Sequence, residues 1–278
     1  MGKRKLDFLQ VEFYKIFNLI PKRRALWGGF SWIFSTFAAY DKIMRRTFLV
    51  CAMAVAVLFV SAVGVCVKAL FLPQTVFAGG NEPIKIVLDA GHGGIDGGVT
   101  GVMTGVKESD INLAITLKLK QTLDDMGFET TLTRKTEAGL YDAATNGFKR
   151  RDMLKRKEIV QTIDPALVIS VHQNRFDSPS VRGAQVFFKR GDGEGERFAC
   201  AVQEKLNVLY QTQKVKARKH TPSEYFMLAC TEKPSVIVEC GFLSSPADEK
   251  LLLSPTFQKR IAEHIAAGVV AYLAGELS

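Results

Sequence analysis

The chain has 278 residues and a formal net charge of +9, from 37 basic and 28 acidic side chains. A strongly basic chain can bind the phosphates of nucleic acid, but this charge is distributed unevenly. Residues 1–46 contain ten Lys or Arg and three Asp or Glu residues, which is +7 of the total, so the remainder carries only +2. The charge therefore gives no support to a nucleic-acid partner, and we expect none.

A long apolar segment follows the basic N-terminal region. Residues 47–67 are 21 consecutive residues without a charged side chain, enough for a helix across a hydrocarbon layer of about 30 Å. We predict one transmembrane helix over residues 47–70; a helix buried in a soluble core is the alternative. Lys42, Arg45 and Arg46 directly precede the apolar run. The positive-inside rule then places the N-terminus in the cytoplasm and the rest of the membrane-anchored chain outside it.

Two features near this segment bear on how the chain is anchored. Val76, Phe77 and Ala78 precede Gly79 in a pattern that resembles a signal-peptidase site, so secretion after cleavage near Ala78 is an alternative. The long basic leader is untypical of a signal peptide and favours a retained anchor. Residues 26–40 are rich in aromatic residues and too short to span a bilayer. They predict an interfacial segment on the cytoplasmic face.

The region after residue 83 has the pattern of one α/β domain. Short runs of β-branched and aliphatic residues at 84–88, 167–171 and 236–238 each begin within two residues of a proline. They predict strands buried on both faces, in a three-layer α/β domain with a mostly parallel twisted sheet. The predicted order of the chain is a basic cytoplasmic segment (1–46), the transmembrane helix (47–70), a linker (71–83) and the catalytic domain (84–275).

Further helix and strand patterns complete the domain. Apolar residues recur at helical spacing from Ile111 to Met126 and are followed by a glycine, which predicts a helix that begins just after Glu108. Other helices are predicted at residues 149–162, 196–210 and 255–274, and other strands at 128–134, 184–189 and 225–229. Residues 134–148 and 211–223 are polar and irregular, and we expect them to form substrate-contacting loops.

Four polar residues lie where the buried strands and the first helix meet. His92, His172 and Glu239 are at or just after the carboxyl ends of the three buried strands. Glu108 is at the entrance of the predicted helix. Parallel sheets bind ligands at the carboxyl ends of their strands, and a right-handed crossover brings the helix start to the same edge. The four side chains are therefore expected to converge on one pocket.

These four side chains suit a catalytic zinc site. Imidazole nitrogen and carboxylate oxygen are common zinc ligands, and a catalytic site uses three protein ligands and one open position. We predict that His92, Glu108 and His172 hold one zinc ion. Glu239 is then free to take a proton from water activated by the metal and to pass it to a departing amine. The set predicts metal-assisted hydrolysis of an amide bond.

Each of the four residues also has an ordinary structural explanation. His92 could lie in a tight turn or an anion-binding backbone nest, and His172 could be a hydrogen-bonded core histidine. Glu108 could be an acidic residue at a helix start, and Glu239 could form an ion pair at a strand end. These explanations treat the residues separately, whereas a metal hydrolase uses all four together.

Four stretches of the domain match one known family in sequence and in order. They are residues 89–94, 107–113, 169–174 and 234–244, and Thr133, Arg134 and Arg156 also fit. From about residue 84 to residue 273 the chain resembles zinc-dependent N-acetylmuramoyl-L-alanine amidases of the Amidase_3 type. The resemblance implies cleavage of the amide bond between N-acetylmuramic acid and the first L-alanine of the peptidoglycan stem peptide.

The resemblance also assigns roles to individual residues. It makes His92, Glu108 and His172 the zinc ligands. It makes Glu239 the catalytic carboxylate, and Asn174 matches a position that helps to shape the site. The alternatives are another extracytoplasmic zinc peptidase or carboxypeptidase, and a catalytically inactive wall-binding module.

A narrower resemblance follows from three further features. Gln173 stands where the family usually has a small residue, no wall-binding repeat is visible, and an apolar segment precedes the domain. The chain is thus similar to the germination-specific amidases of spore formers, the CwlD type. That subgroup implies a partner muramic acid deacetylase, which completes muramic-δ-lactam in the spore cortex. Because zinc binds weakly to a pocket that is not preorganised, we also expect an activating protein partner.

Overall fold

The computed structural model describes residues 82–142 and 145–275, together with residues 47, 53 and 54. In chain order the elements are β1 (Lys85–Ala90), α1 (Glu108–Asp125), β2 (Glu129–Leu132), α2 (Phe148–Ile163), β3 (Leu167–Asn174), β4 (Gln185–Lys189), α3 (Gly193–Gln211), β5 (Thr221–Ser223), a 3₁₀-helix (Phe226–Ala229), β6 (Ser235–Phe242), α4 (Pro246–Leu252) and α5 (Pro255–Leu273). The predictions of a cytoplasmic segment, a transmembrane helix and a linker fall almost entirely outside the described residues. Within the described ranges, no helix is both long and apolar enough to cross a bilayer.

The six strands form one sheet in the order β2-β1-β3-β6-β4-β5. β1 is parallel to β2 and β3, and β3 is parallel to β6. β4 runs antiparallel to β6 and parallel to β5. The prediction of a mostly parallel sheet flanked by helices is confirmed. Since β1, β3 and β6 are adjacent and parallel, their carboxyl ends lie side by side at one edge of the sheet.

The two faces of the sheet are covered differently. Alternate residues of a strand project to opposite faces. Leu88 and Val238 project to the face that packs against α1, α3 and α5, in a large buried cluster that we call the core face. Val87 and Ile237 project to the other face, where α2 and the 3₁₀-helix form a smaller cluster; we call this the site face. Each large aliphatic side chain buried on the core face contributes about 1.5–3 kcal/mol to stability.

Helix α1 shows how the sequence pattern produces the packing. Ile111, Ile115, Leu119 and Leu123 are buried and recur at four-residue spacing, so they form one stripe along the helix that faces the sheet. Gly127 follows the helix with a φ of 91°, a left-handed conformation that favours glycine. The helix begins at Glu108 itself rather than just after it.

Some local predictions differ from the structure. The prediction of a strand at residues 225–229 is wrong, because Phe226–Ala229 is a 3₁₀-helix that buries Met227 and Leu228. The prediction that residues 211–223 are wholly irregular is wrong at its end, where Thr221–Ser223 forms the edge strand β5. Helix α4 was not predicted, although its first turn contains Pro246, which is a common residue at a helix start.

Candidate metal centre

The turn after β1 carries His92 in an unusual backbone conformation. Its φ is 61°, which is left-handed for a residue with a side chain and costs energy unless the surroundings hold it. Gly91 precedes it, and a Cβ added to Gly91 would lie 2.2 Å from Cε1 of His172. Glycine at this position therefore leaves room for the His172 imidazole beside the turn.

Two buried arginines hold this turn through its carbonyl groups. Arg156 donates to the carbonyl of Ala90 at 2.7 Å and to the carbonyl of His92 at 2.6 Å. Arg134 donates to the carbonyl of Ala90 at 2.8 Å and to the carbonyl of Gly91 at 3.0 Å. The guanidinium groups thus fix three successive residues of the turn, and they account for its strained conformation.

Arg156 is itself held by a buried carboxylate at the end of β1. Its Nη1 lies 2.5 Å from Oδ1 of Asp89, which also accepts a hydrogen bond from Thr133 at 2.6 Å. The other oxygen, Oδ2, accepts a hydrogen bond from Ser170 at 2.5 Å. Burial raises the pKa of Asp89, but Arg156, Ser170 and Thr133 outweigh it and lower that pKa to about 2. Asp89 is therefore ionised at neutral pH and keeps the charged arginine beneath the turn.

Glu108 stands between the two histidines. Its Oε1 lies 2.9 Å from Nδ1 of His172 and 3.3 Å from Nε2 of His92. Burial raises the pKa of Glu108, but hydrogen bonds and charge attraction from the two histidines hold it well below its usual range. One donor atom from each of these residues lies within 4.8 Å of the other two. The three predicted metal ligands are thus brought together.

The Glu108 carboxylate is further oriented by polar groups on the core-face side. Oε1 accepts hydrogen bonds from the Asn112 side chain and from the Gln173 backbone, both at 3.1 Å. Oε2 accepts one from the Val99 backbone at 2.9 Å. The Gln173 side chain donates to Oδ1 of Asn112 at 3.1 Å. The side chain of Gln173, which is unusual in the sequence, therefore positions Asn112, and Asn112 in turn positions Glu108.

Asp96 is a site residue that the sequence analysis missed. Its Oδ2 lies 3.0 Å from Nδ1 of His92, and its Oδ1 lies 3.2 Å from Nζ of Lys149. Burial lowers the pKa of His92, but Glu108 and Asp96 outweigh it and raise that pKa to about 9. A carboxylate on the second nitrogen of a metal-binding histidine fixes its orientation and tautomer. Its position four residues after His92, in a glycine-rich loop, was the available signal.

Glu239 is close to this triad but outside it. It is the partner of His172 in the β3–β6 ladder, so the two side chains project from neighbouring strands to the same face. Glu239 is 9% exposed, and its Oε2 has no hydrogen-bond partner among the described residues. Burial raises its pKa, His172 and His92 lower it and Glu108 raises it, with a result of about 7. A carboxyl group with this pKa can both accept and donate a proton near neutral pH.

Asn174 does not join the other four residues through its side chain. Its Oδ1 accepts a hydrogen bond from the backbone of Arg175 at 2.7 Å, and its backbone carbonyl accepts one from Leu243 at 2.9 Å. It therefore ties the end of β3 to the loop after β6, which fits a residue that shapes the site by holding its backbone.

A cavity of about 320 Å³ opens on the site face beside both histidines. Tyr141, Phe148 and Tyr225 contribute aromatic side chains to its wall. Tyr141 lies in the segment 134–148, for which we predicted substrate contacts. The volume of the cavity is in the range of small-molecule ligand pockets.

The donor set of the triad fits a divalent transition metal. Two imidazole nitrogens and one carboxylate oxygen form the three-ligand set of many catalytic zinc sites. The nearby Glu239 has a free oxygen and is not needed as a ligand. The arrangement is that of a metal-assisted hydrolase.

Comparison with known families agrees with this geometry. The family model Amidase_3, described as N-acetylmuramoyl-L-alanine amidase, matches residues 86–271. The chain belongs to this amidase family. The predictions of the family and of an N-acetylmuramoyl-L-alanine amidase that acts on peptidoglycan are therefore confirmed.

Two individual relatives show how similar the chain is to named amidases. The germination-specific N-acetylmuramoyl-L-alanine amidase of Bacillus subtilis is 32% identical over 192 residues, which cover 67% of this chain and 78% of the relative. The amidase AmiA of Escherichia coli is 29% identical over 244 residues, which cover 72% of this chain and 79% of that relative.

Solved structures show the same fold. The CwlD amidase of Clostridioides difficile, determined in complex with the GerS lipoprotein, has a TM-score of 0.66 and 34% identity, and the match covers 69% of this chain and 99% of that chain. The catalytic domain of CwlV from Bacillus (Paenibacillus) polymyxa has a TM-score of 0.59 and 26% identity, with 69% and 98% covered.

Proposed function

We propose that this amidase depends on zinc, that His92, Glu108 and His172 hold one zinc ion, and that Glu239 is the catalytic acid and base. One observation carries the proposal. A buried carboxyl group with an unpaired oxygen, whose pKa is raised by burial, lies next to three metal donors without being one of them. Such a group is costly to bury, and proton transfer during amide hydrolysis explains its presence.

The roles of the residues follow from their positions. Zinc, when bound, supplies Lewis-acid chemistry that polarises the amide carbonyl and makes water more acidic. The carboxylate of Glu239 accepts a proton from the attacking water. As Glu239–COOH, it then donates this proton to the alanine nitrogen as the carbon–nitrogen bond breaks. The products are a muramic acid with a free lactyl carboxyl group and a stem peptide with a free N-terminal L-alanine.

The surrounding residues keep these groups in place. Asp96 fixes the orientation of His92, while Asn112 and the Gln173 backbone fix Glu108. This preorganisation reduces the rearrangement that the reaction itself requires.

Product analysis tests the proposed reaction. Purified full-length protein in detergent is loaded with zinc and incubated with peptidoglycan, and the products are identified by mass spectrometry. We expect intact stem peptides that begin with L-alanine, and their loss after chelation and recovery with zinc. Release of single amino acids alone would instead indicate a carboxypeptidase, and binding without any product would indicate an inactive wall-binding module.

A role in spore cortex maturation is the second part of the proposal. Its support is the similarity to the germination-specific amidase of Bacillus subtilis. In this role the amidase removes stem peptides, and a muramic acid deacetylase then allows the muramic-δ-lactam ring to close. The test is expression of this chain in Bacillus subtilis that lacks its own germination-specific amidase. We expect muramic-δ-lactam in the cortex; its continued absence despite active protein would exclude this role.

We also propose an activating protein partner. The structure of the similar Clostridioides difficile amidase contains the GerS lipoprotein. In this chain, the segment that joins His92 to Glu108 carries three exposed apolar side chains. The exposed fractions are 58% for Ile95, 50% for Val102 and 60% for Met103. A partner that binds these apolar side chains and the metal-bound form together would raise metal affinity. Stoichiometric, tight zinc binding by the isolated protein in a titration would remove the reason for this proposal.

Localisation is the last part. We propose a single-pass anchor at residues 47–70 with the catalytic domain outside the cytoplasm, because peptidoglycan lies there and because of the basic segment before the anchor. Membrane fractionation with protease protection of intact cells tests the topology. N-terminal sequencing of the mature protein distinguishes a retained anchor from secretion after cleavage near Ala78.

A further inference from the structure

A groove with only basic charged side chains lies on the β4 side of the molecule. Its volume is about 300 Å³, and it is lined by the segment 180–182 and the segment 214–218. The charged residues that line it are Arg182, Lys214, Lys216 and Arg218, and we call it the basic groove. No Asp or Glu residue lines it. The groove therefore has the charge expected of a site for an anionic group.

The backbone of this groove is fixed in place. The Asn207 side chain donates to the carbonyl of Arg218 at 2.8 Å and accepts from its backbone N–H at 3.0 Å. Val215 is 9% exposed and packs into the core. Gly183 lets Val215 approach closely, since an added Cβ would lie 2.9 Å from its Cγ1. The groove is thus built on packed side chains.

The basic groove adjoins the catalytic edge of the sheet. Gln185 is paired with Glu239 in the antiparallel β4–β6 ladder, so their side chains project to the same face. Nη2 of Arg218 donates to Oε1 of Gln185 at 2.6 Å. The Arg218 guanidinium also lies 5.1 Å from the ring centre of Phe242, at the end of β6. One side chain therefore separates Arg218 from the residue that we assign to proton transfer.

Most of the positive charge in the groove is not neutralised by the protein. Arg182 lies 2.9 Å from the buried carboxylate of Asp248. In the part of the chain that the structure describes, no carboxylate lies within 4.0 Å of Lys214, Lys216 or Arg218. Nε of Arg218 is buried and has no hydrogen-bond partner among these residues. An arginine without a carboxylate partner gains from an anion that accepts a charge-assisted hydrogen bond from it.

The chemistry of the substrate indicates which anion this is. Before hydrolysis, the lactyl carboxyl group of muramic acid is part of the amide, so the sugar side of the bond carries no charge. Free carboxylates lie on the peptide side. We propose that the basic groove binds a free carboxylate of the stem peptide beyond L-alanine, with Arg218 as its main contact. This inference rests on the proposed amidase reaction and orients the substrate, with the peptide toward β4 and the glycan toward the aromatic cavity.

The test compares two muropeptides that differ only in whether the stem-peptide carboxylates are free or amidated. Zinc-loaded full-length protein is assayed for kcat and KM on both. We expect the wild type to prefer the free acid about tenfold in kcat/KM, the value of one charge-assisted hydrogen bond, and to express this preference in KM. Arg218→Gln should lose the preference. Lys259→Gln, on α5 with 69% side-chain exposure, is the matched control and should keep it.

The outcomes separate the two proposals. If the wild type hydrolyses neither substrate, the proposed function fails. If it hydrolyses both but shows no preference, or if Arg218→Gln retains the preference, the carboxylate site is wrong. Should Arg218→Gln not fold, the double variant Lys214→Gln and Lys216→Gln takes its place, because both lysines are exposed. That variant should reduce the preference, and an unchanged preference would overturn the inference.

Discussion

The two faces of the sheet differ in what they bury. On the core face, Leu88, Ile169 and Val238 lie in an apolar cluster under three helices. On the site face, the strands place Asp89, His172 and other polar groups near the carboxyl edge. Apolar packing tolerates small shifts at a modest energetic cost, whereas buried polar groups require partners at defined distances. The core face therefore sets the fold, and the polar groups at the carboxyl edge of the sheet set the geometry of the metal centre.

Along each strand, alternate residues serve the packing of the core and the positioning of the site. In β1, Leu88 points into the core cluster while its neighbour Asp89 holds Arg156. In β6, Val238 is in the core and its neighbour Glu239 lies beside His172. In both strands, a polar site residue is thus the chain neighbour of a residue packed in the apolar core. Substitutions on the two faces should have separable effects on stability and on metal chemistry.

The largest effect is expected for a metal ligand. His172→Ala should remove one of three donors and leave Glu108 without its 2.9 Å partner, so both metal binding and turnover should be lost. Metal content is measured by mass spectrometry after dialysis, and activity by product release. His264→Ala, whose ring lies on α5 and contacts the Arg260 carbonyl, is the control and should retain both. Full zinc content in His172→Ala would contradict the assignment of this ligand.

A loss of turnover alone is expected for Glu239. Glu239→Gln keeps the shape of the side chain but cannot accept the proton, so kcat should fall by about 10²–10⁴-fold. Zinc content and the melting temperature should stay close to those of the wild type, because this residue is not among the three donors. Wild-type kcat in Glu239→Gln would refute the proton-transfer role, and loss of zinc would make it a ligand instead.

Much of this architecture could be predicted from the sequence because apolar periodicity reports burial directly. The buried runs that became β1, β3 and β6 and the helical stripe of α1 were all identified. The short elements were harder. Residues 225–229 form an apolar run whose periodicity does not distinguish a strand from a helical turn. Pro222 lies inside β5, and proline argues against a strand except at the edge of a sheet, where β5 is found.

The meeting of His92, Glu108 and His172 in one place was also predictable, since each follows from its position at a strand or helix end. The contacts of their supporting residues were not. Arg156 meets Asp89 across 67 positions, and Gln173 meets Asn112 across 61. Such contacts depend on how the helices pack on the sheet, which periodicity does not report. A network of this kind can be found only once the fold is known.

Substitution of Arg156 should lower both stability and metal affinity, because Arg156 contacts Asp89 in β1 and the turn that carries His92. Arg156→Met removes the partner of Asp89 and releases the carbonyl of His92. Loss of one partner of a buried ion pair should destabilise the protein by about 3–5 kcal/mol, and metal affinity should fall as well. Leu119→Ala, on the core face, should cost about 2–5 kcal/mol with unchanged metal affinity of the folded protein. Denaturant unfolding and zinc titration measure the two quantities, and equal metal affinities in both variants would contradict the proposed role of Arg156.

The smallest expected effect is a change in metal affinity with pH, and it depends on the protonation of His92. In the metal-free protein the pKa of His92 is about 9, so at neutral pH its imidazole carries a proton that a metal ion must displace. Metal affinity should therefore rise with pH up to about 9, by at most about tenfold per unit, and level off above it. Calorimetry in buffers of different ionisation enthalpy should detect close to one proton released from His92 per metal ion at pH 7. Asp96→Asn removes one of the groups that raise this pKa, so the plateau should begin at a lower pH while the affinity on the plateau falls about 10–100-fold. An affinity that does not change between pH 6 and 9 would show that the His92 proton is not in competition with the metal.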